Sequence, residues 1–223
     1  MKNYKQLQEG VYDPNIFQAV FLAGGPGSGK SFVQRTTTGG LGMKVVNSDD
    51  AFERLLKKAG LSLKMPASEL EPRNVIRDKS KILTDKRKDN FVDGRLGLII
   101  DGTGKDYDKI KYQADQLKQI GYETYMIFVN TSEDVAQERN QKRSRTLDPE
   151  IVTKSWNAVQ RNIGKFQNYF GSKNFIIVDN NVNVQDTKLF NNVTKRVRSL
   201  VTRKVSNPTA KRWIQQQLAM KKR

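Results

Sequence analysis

Short apolar runs alternate with longer stretches of mixed character along the chain. Five runs of four or five residues stand out, at 19–23, 43–46, 96–100, 125–129 and 175–178. Continuous apolar runs of this length are typical of strands that a parallel sheet buries on both faces. The pattern therefore predicts five buried strands.

The intervals between these runs carry helical patterns. They lie at about 50–60, 72–92, 106–120, 132–143, 149–166 and 186–204. Asn207 and Pro208 then predict the cap and the first residue of a further helix. Alternating strands and helices indicate a parallel sheet with helices on both faces and right-handed crossovers. The predicted fold class is α/β, a doubly wound parallel sheet.

The chain length suits one domain and one appendage. A chain of 223 residues has room for a full core and an extra element rather than for two equal domains. We expect an N-terminal arm at 1–16, a single domain at 17–205 and a basic C-terminal helix at 206–223. The apolar residues of that helix share one stripe, which favours docking on the body or on a partner; they are Ala210, Trp213, Ile214 and Leu218.

The charge of the chain is uneven. The formal net charge is +17 and the isoelectric point is about 10.0, and from Thr187 to the end all charged residues are lysine or arginine. A basic tail attracts polyanions, although it can equally be a solvated face. Contact of the tail with nucleic acid or with an acidic protein is the corresponding hypothesis.

Composition excludes several classes of protein and of chemistry. No apolar run approaches the roughly 20 residues of a membrane helix, and the N-terminus lacks the apolar region of a signal peptide. We expect a cytoplasmic protein, of a cell or of an infected host, with virion association left open. The chain has no cysteine and no histidine, so a thiol nucleophile and imidazole ligands are excluded, and proton transfer falls to a carboxylate.

The segment GGPGSGKS, at 24–31, follows the first apolar run and has the spacing of a P-loop. In such a loop, backbone N–H groups surround phosphate oxygens, Lys30 reaches the β- and γ-phosphates, and the hydroxyl of Ser31 binds Mg²⁺. The alternative is a glycine-rich turn. The pattern predicts a P-loop NTPase-type sheet that binds ATP and Mg²⁺, with Lys30, Ser31 and the loop residues as the nucleotide site; these are Gly24, Gly25, Gly27, Ser28 and Gly29.

Acidic residues follow the second and third predicted strands. Asp49 and Asp50 lie in VVNSDD, and Asp101 lies in LIIDGTG. Ligands bind at the carboxyl edge of a parallel sheet. We expect Asp49 or Asp50 to accept a proton from a substrate hydroxyl, the alternative being that Ser48 or one of these aspartates caps the next helix. Asp101 has the position of a carboxylate near Mg²⁺, or else belongs to a simple turn.

Arginines concentrate in ERNQKRSRTLDP, where one predicted helix gives way to a loop. Arg139 and Arg143 are four residues apart and would share a helical face, and Arg145 follows. Basic loops are often only solvated. The pattern favours a lid that closes over ATP and stabilises the charge of phosphoryl transfer.

These segments resemble the P-loop kinases of the zeta-toxin and polynucleotide 5′-kinase group. The likeness covers about 17–180 and is carried by NSDD, RNQKR and IIDGTGKDYDKIKYQADQLKQIGYETYMIFV. It implies that Lys30 binds phosphate, that Ser31 binds Mg²⁺ and that Asp49 or Asp50 is the base, with the lid formed by Arg139, Arg143 and Arg145. Asp101 stands where zeta toxins carry a glutamate, and 61–81, where substrate specificity should reside, matches neither family.

The resulting hypothesis is an ATP- and Mg²⁺-dependent kinase. It would transfer the γ-phosphoryl group to a hydroxyl of a nucleotide-like molecule, a sugar nucleotide or a nucleic-acid 5′ end. The alternative is a nucleotide-binding P-loop protein with a structural or regulatory role in a nucleoprotein or virion assembly.

Overall fold

The computed structural model describes residues 10–143, 145–181 and 187–221, without the side chains of 187–190. The predicted arm therefore lies largely outside the described residues, as do Lys222, Arg223 and the side chain of Lys188. The division of the chain at 16/17 and 205/206 stays a prediction.

Five parallel strands form one sheet. They are β1 (Gln18–Ala23), β2 (Lys44–Val46), β3 (Leu98–Asp101), β4 (Glu123–Asn130) and β5 (Phe175–Asp179), in the spatial order β2-β3-β1-β4-β5. The order reverses beside β1, so the chain winds in both directions from the centre. Every residue of β1 is buried, since it has a strand on each side and helices on both faces. The predicted doubly wound α/β fold is confirmed.

Nine α-helices are described around this sheet. They are α1 (Lys30–Thr38), α2 (Ser48–Lys58), α3 (Leu70–Asp93), α4 (Tyr107–Gln119), α5 (Glu133–Gln141), α6 (Pro149–Gln160), α7 (Ile163–Phe170), α8 (Thr187–Val201) and α9 (Pro208–Lys221), with a short 3₁₀ helix at Ala67–Glu69 before α3. Two buried clusters, one on each face of the sheet, form the core.

The helix predicted at 149–166 is divided into α6 and α7. The break lies at Arg161 and Asn162, and the side-chain amide of Asn162 donates to the carbonyls of Gly104 (3.0 Å) and Lys105 (2.9 Å). These bonds tie the break to the loop that follows β3. The single-helix prediction was therefore wrong because a contact distant in sequence turns the chain.

The last helix begins at Pro208 as predicted and packs on the body. Ala210 is fully buried in the core, and Trp213 packs edge-on against Phe17 with ring centroids 5.4 Å apart. Phe17 lies directly before β1. Gly121, which lies close to Ala210, comes shortly before β4. Because the strands are parallel, α9 lies at their amino ends, opposite the edge that carries the P-loop.

Candidate active site

The glycine-rich loop after β1 has a backbone that only glycines allow. Gly27 (φ 76°) and Gly29 (φ 85°) adopt left-handed conformations, and a Cβ on Gly27 would lie 2.2 Å from the carbonyl oxygen of Ala136. The amides of Phe32 and Val33 donate to Gly29, which caps α1. Among the described residues no side chain caps α1, so its N-terminus is a favourable place for phosphate.

Lys30 is the first residue of α1 and reaches back across the loop. Its Nζ donates to the carbonyls of Gly24 (2.6 Å) and Gly25 (3.4 Å). Burial of this ammonium lowers the pKa of Lys30, while the nearby carboxylates of Asp101 and Asp49 oppose the shift. Ser31 follows with its side chain exposed. The ammonium group of Lys30 is thus held inside the loop by two backbone carbonyls, and phosphate oxygens would take their place.

Asn180, directly after β5, secures the loop from the other side. Its side-chain amide donates to the carbonyl of Ser28 at 2.7 Å, and a Cβ on Gly29 would lie 2.3 Å from the same nitrogen. Sequence reasoning missed this residue. Its position after a buried strand is the signal that singled out Asp101, and the same rule applied to β5 would have found it.

Asn47 joins the ends of β2 and β3. Its Nδ2 donates to Asp101 Oδ2 at 2.9 Å, and its Oδ1 accepts the amide of Asp49 at 2.7 Å. Asn47 is therefore the cap of α2, so the alternative that Ser48, Asp49 or Asp50 caps this helix was wrong. Both aspartates lie in the first turn of α2, where the helix dipole favours negative charge.

One oxygen of the Asp101 carboxylate is placed where it could bind a cation. Its Oδ1 is buried and has no hydrogen-bond partner among the described residues. Burial raises the pKa of Asp101, with further contributions from Asp49 and Asp50, while Lys30 acts in the opposite direction. A buried carboxylate oxygen without a partner fits coordination by a metal ion.

Asp49 is held by two arginines from distant segments. Arg77 of α3 donates to its Oδ1 at 2.8 Å, and Nη2 of Arg145 lies 3.0 Å from its Oδ2. Burial opposes ionisation of this carboxyl, but the hydrogen bonds and charges of Arg145 and Arg77 outweigh it and lower the pKa of Asp49 to about 2. Asp49 is thus firmly anionic and fixed in position.

The two arginines enclose Phe52. The guanidinium carbon of Arg77 lies 4.1 Å from the ring centroid and that of Arg145 lies 5.9 Å from it. Sequence reasoning missed Arg77, which lies among many charged residues of α3. No local pattern could reveal it, because 28 residues separate it from Asp49.

The other predicted lid residues occupy two different situations. Arg139 lies on α5 near the P-loop: its Nη1 is buried without a hydrogen-bond partner among the described residues, and a Cβ on Gly29 would lie 3.7 Å from it. Helix α5 ends at Gln141, so Arg143 lies in the following turn, exposed. The prediction that Arg139 and Arg143 share a helical face was wrong because Lys142 already caps the helix. The charge of Arg143 nevertheless contributes to lowering the pKa of Lys30.

A magnesium ion at this edge would need donors beyond the protein. The described residues contain no group of three or more acidic side chains that could hold a metal by themselves. Mg²⁺ in phosphoryl-transfer sites usually binds one or two carboxylates together with substrate phosphates and water. The pair of Ser31 and Asp101 fits that arrangement.

Comparison with known proteins identifies the family of this chain. The model of the zeta toxin family matches residues 5–195. No curated protein sequence matches the chain.

Within the described ranges, none of the helices has the length and apolar character needed to cross a lipid bilayer.

Similar solved structures share the architecture at low identity. They include a kinase candidate from Chloroflexus aurantiacus (TM-score 0.59, 17% identity, 84% of this chain and 98% of the other). A structure of the PezAT chromosomal toxin-antitoxin system of Streptococcus pneumoniae is similar over 88% of this chain and 92% of the other (TM-score 0.56, 16% identity). The AvrRxo1-ORF1:-ORF2 structure with ATP is similar over 85% and 70% (TM-score 0.57, 12% identity). These likenesses establish a common fold.

Proposed function

Because the chain belongs to the zeta toxin family, we propose that it transfers the γ-phosphoryl group of ATP to a hydroxyl of a nucleotide-like molecule or a nucleic-acid 5′ end. Membership confirms the broader prediction of a phosphotransferase of the kinase type that acts on an alcohol group. The observation that carries the proposal is the meeting of Lys30, Asp49 and Asp101 at one edge of the sheet. Asn47 bonds both Asp101 and the amide of Asp49, and Lys30 follows the loop after β1, the strand that pairs with β3.

The donor side of the site fits ATP. Phosphate oxygens would replace the two loop carbonyls that Lys30 now contacts. The buried Nη1 of Arg139, which has no hydrogen-bond partner among the described residues, would gain one. The AvrRxo1-ORF1:-ORF2 structure, which is similar in fold, was determined with ATP. Catalysis of phosphoryl transfer is mainly positioning and charge stabilisation, and these two cations supply both.

Mg²⁺ is the proposed cofactor, held by the hydroxyl of Ser31 and the carboxylate of Asp101. When bound, it would neutralise the charge of the phosphates. Asn47 Nδ2 donates to the other oxygen of Asp101, Oδ2, at 2.9 Å. This bond fixes the orientation of the carboxylate and so of its buried Oδ1.

The cytoplasm stays the proposed location of the protein.

On the acceptor side, Asp49 is the proposed base. A bond forms between the acceptor oxygen and the γ-phosphorus, the bond from the γ-phosphorus to the ADP oxygen breaks, and Asp49 takes the hydroxyl proton. Arg145 and Arg77 keep the pKa of Asp49 at about 2 and its basicity weak, so Asp49 would take the proton once Arg145 has turned to the phosphates. Arg145, which now contacts Asp49, and Arg143 are the proposed lid residues that turn to the phosphates.

The test is transfer of label from γ-labelled ATP to a pool of hydroxyl-bearing nucleotides, sugar nucleotides and 5′-hydroxyl oligonucleotides. Wild-type protein should give a labelled product, and Lys30→Ala should lose it by at least about 100-fold because the transferred charge loses a direct partner. Lys58→Ala, an exposed change in the last turn of α2, is the matched control.

An unlabelled pool with wild-type protein, or label that survives Lys30→Ala, would contradict the proposal. The first result, combined with retained ATP binding, would favour the nucleotide-binding protein with a structural or regulatory role in an assembly. Circular dichroism of Lys30→Ala should match that of the wild type, since Lys30 contacts the loop rather than the core.

The basic tail is a separate part of the proposal. Lys211 and Arg212 of α9 are exposed, and no acidic residue follows Thr187. These charges suit nucleic acid or an acidic protein. They lie at the amino ends of the strands, so a bound polyanion would not need to enter the proposed active site.

A further inference from the structure

A cleft of about 590 Å³ opens beside the proposed active site. It lies between the edge strand β2 and helices α2 and α3, with apolar residues of β2 and α3 on its walls. Its polar residues are Asn47, Asp50, Arg54, Thr84 and Arg87. The volume is that of a site for a small molecule, within the usual range of about 300–1,000 Å³.

The cleft adjoins the proposed reaction centre. Asn47 lines it and also bonds Asp101 at 2.9 Å. Asp50 lines it from the position next to Asp49, and its charge contributes to raising the pKa of Asp101 after the larger effect of burial. A molecule in the cleft would therefore lie beside the carboxylates that the proposed reaction requires.

The charges of the cleft favour an anionic ligand. Arg54 and Arg87 are exposed, and neither forms an ion pair with a carboxylate within the described ranges. Arg87 packs with its guanidinium carbon 5.5 Å from the ring centroid of Phe91. Arg77 and Arg145, in contrast, are both engaged by Asp49. The cleft is therefore lined by two guanidinium groups outside any ion pair of the described residues and by one carboxylate, that of Asp50.

We propose that this cleft binds the acceptor and selects a nucleotide or a sugar phosphate through its phosphate group. Arg54 and Arg87 bind the phosphate, because planar guanidinium groups match its geometry. Asp50 and Thr84 bond neighbouring hydroxyls, and the reacting hydroxyl points to Asp49. This proposal rests on the proposed kinase function and names its substrate class.

The test measures binding without turnover, in the full chain with the P-loop filled by AMP-PNP and Mg²⁺. Two pairs of probes are compared, and the members of each pair differ only in a phosphate group. One pair is glucose 1-phosphate and glucose. The other is uridine 3′-monophosphate and uridine, both of which have a free 5′-hydroxyl. Calorimetry should give at least a 10-fold tighter affinity for the charged member of at least one pair. The double variant Arg54→Gln, Arg87→Gln should abolish that difference.

The control is Lys86→Gln, which removes a neighbouring exposed charge of α3 that does not line the cleft; it should keep the preference. Equal affinities within both pairs, no binding of any probe, or a preference that survives the double variant would overturn the proposal. Failure of the kinase function appears elsewhere, as absence of AMP-PNP binding or of labelled product. The two outcomes are therefore distinguishable.

Discussion

Arg145 and Asp49 form an ion pair with 3.0 Å between Nη2 and Oδ2, although 96 residues separate them in the chain. Arg145 is nearly buried, with 8% of its side chain exposed, and its Nε lies 3.4 Å from Glu53. The proposed lid thus contacts the proposed base before any nucleotide is bound. A γ-phosphate would compete with Asp49 for the same guanidinium, which would couple binding of the donor to release of the base.

Replacing Arg145 should uncouple donor binding from the release of Asp49. In Arg145→Gln the pKa of Asp49 should rise above about 2, because the strongest of the contacts that lower it is lost, and kcat should fall about 100-fold. Carboxyl NMR titration and steady-state kinetics measure the two effects. Arg35→Gln, an exposed change on α1, should alter neither, and an unshifted Asp49 titration in Arg145→Gln would refute the coupling.

Asp49→Asn and Asp50→Asn should affect different kinetic parameters. Asp49→Asn should lower kcat by at least about 100-fold without weakening ATP binding, because a base acts on the acceptor and because Asp49 no longer competes with the γ-phosphate for Arg145. Asp50→Asn should mainly raise the KM of the acceptor, because this residue lines the cleft. Two mild effects on kcat would mean that the base lies elsewhere, with Asp101 the next candidate.

Gly27→Ala should eliminate ATP binding. The added methyl would lie 2.2 Å from the carbonyl oxygen of Ala136, so either the loop or α5 must move. Gly60→Ala is the matched control, since Gly60 has a similar φ of 71° but no atom within 4 Å of an added Cβ. It should cost only the roughly 1–2 kcal/mol of a left-handed non-glycine residue. Titration with a fluorescent ATP analogue measures binding, and equal affinities in the two variants would argue against a built phosphate cradle.

These residues also mark the limit of sequence reasoning. The strands and the placement of Lys30, Asp101 and the Asp49–Asp50 pair at one edge of the sheet were predictable, because burial on both faces and position at a carboxyl edge depend on local order. Arg77, Arg54 and Arg87 were not, because nothing in the charged pattern of α3 or α2 distinguishes an arginine that lines a cleft from one in solvent. The break between α6 and α7 likewise depends on bonds from Asn162 to a loop 58 residues away.

The ion pairs of Asp49 should contribute to stability in a defined pH range. The pKa of this carboxyl is lowered from 3.8 to about 2 on folding, so its contribution is fully present above pH 3.8 and is lost as the pH falls towards 2. Asp49 is 46% exposed, and solvent screening limits the effect to about 1 kcal/mol. Chemical denaturation should show that Asp49→Asn lowers the free energy of unfolding at pH 6 and that the difference shrinks at pH 3. A difference independent of pH would exclude ionisation as its source.

The last prediction concerns α9 and separates its packing from its charge. Deleting 206–223 should destabilise the protein, because Ala210 is buried in the core and Trp213 packs on Phe17. The deletion therefore cannot report on nucleic acid alone. Lys211→Gln with Arg212→Gln keeps the packing and removes two exposed charges.

If these residues contact phosphates of single- or double-stranded nucleic acid, the log-log salt slope of binding should fall by about 0.7–0.9 for each lost contact. Phosphorylation of a small acceptor should persist, because α9 lies at the amino ends of the strands and the P-loop at the carboxyl ends. The pair Lys57→Gln, Lys58→Gln on α2 removes the same charge elsewhere and serves as the control. An unchanged slope in the folded α9 variant, or the same decrease in the α2 control, would leave an acidic protein as the better partner for this helix.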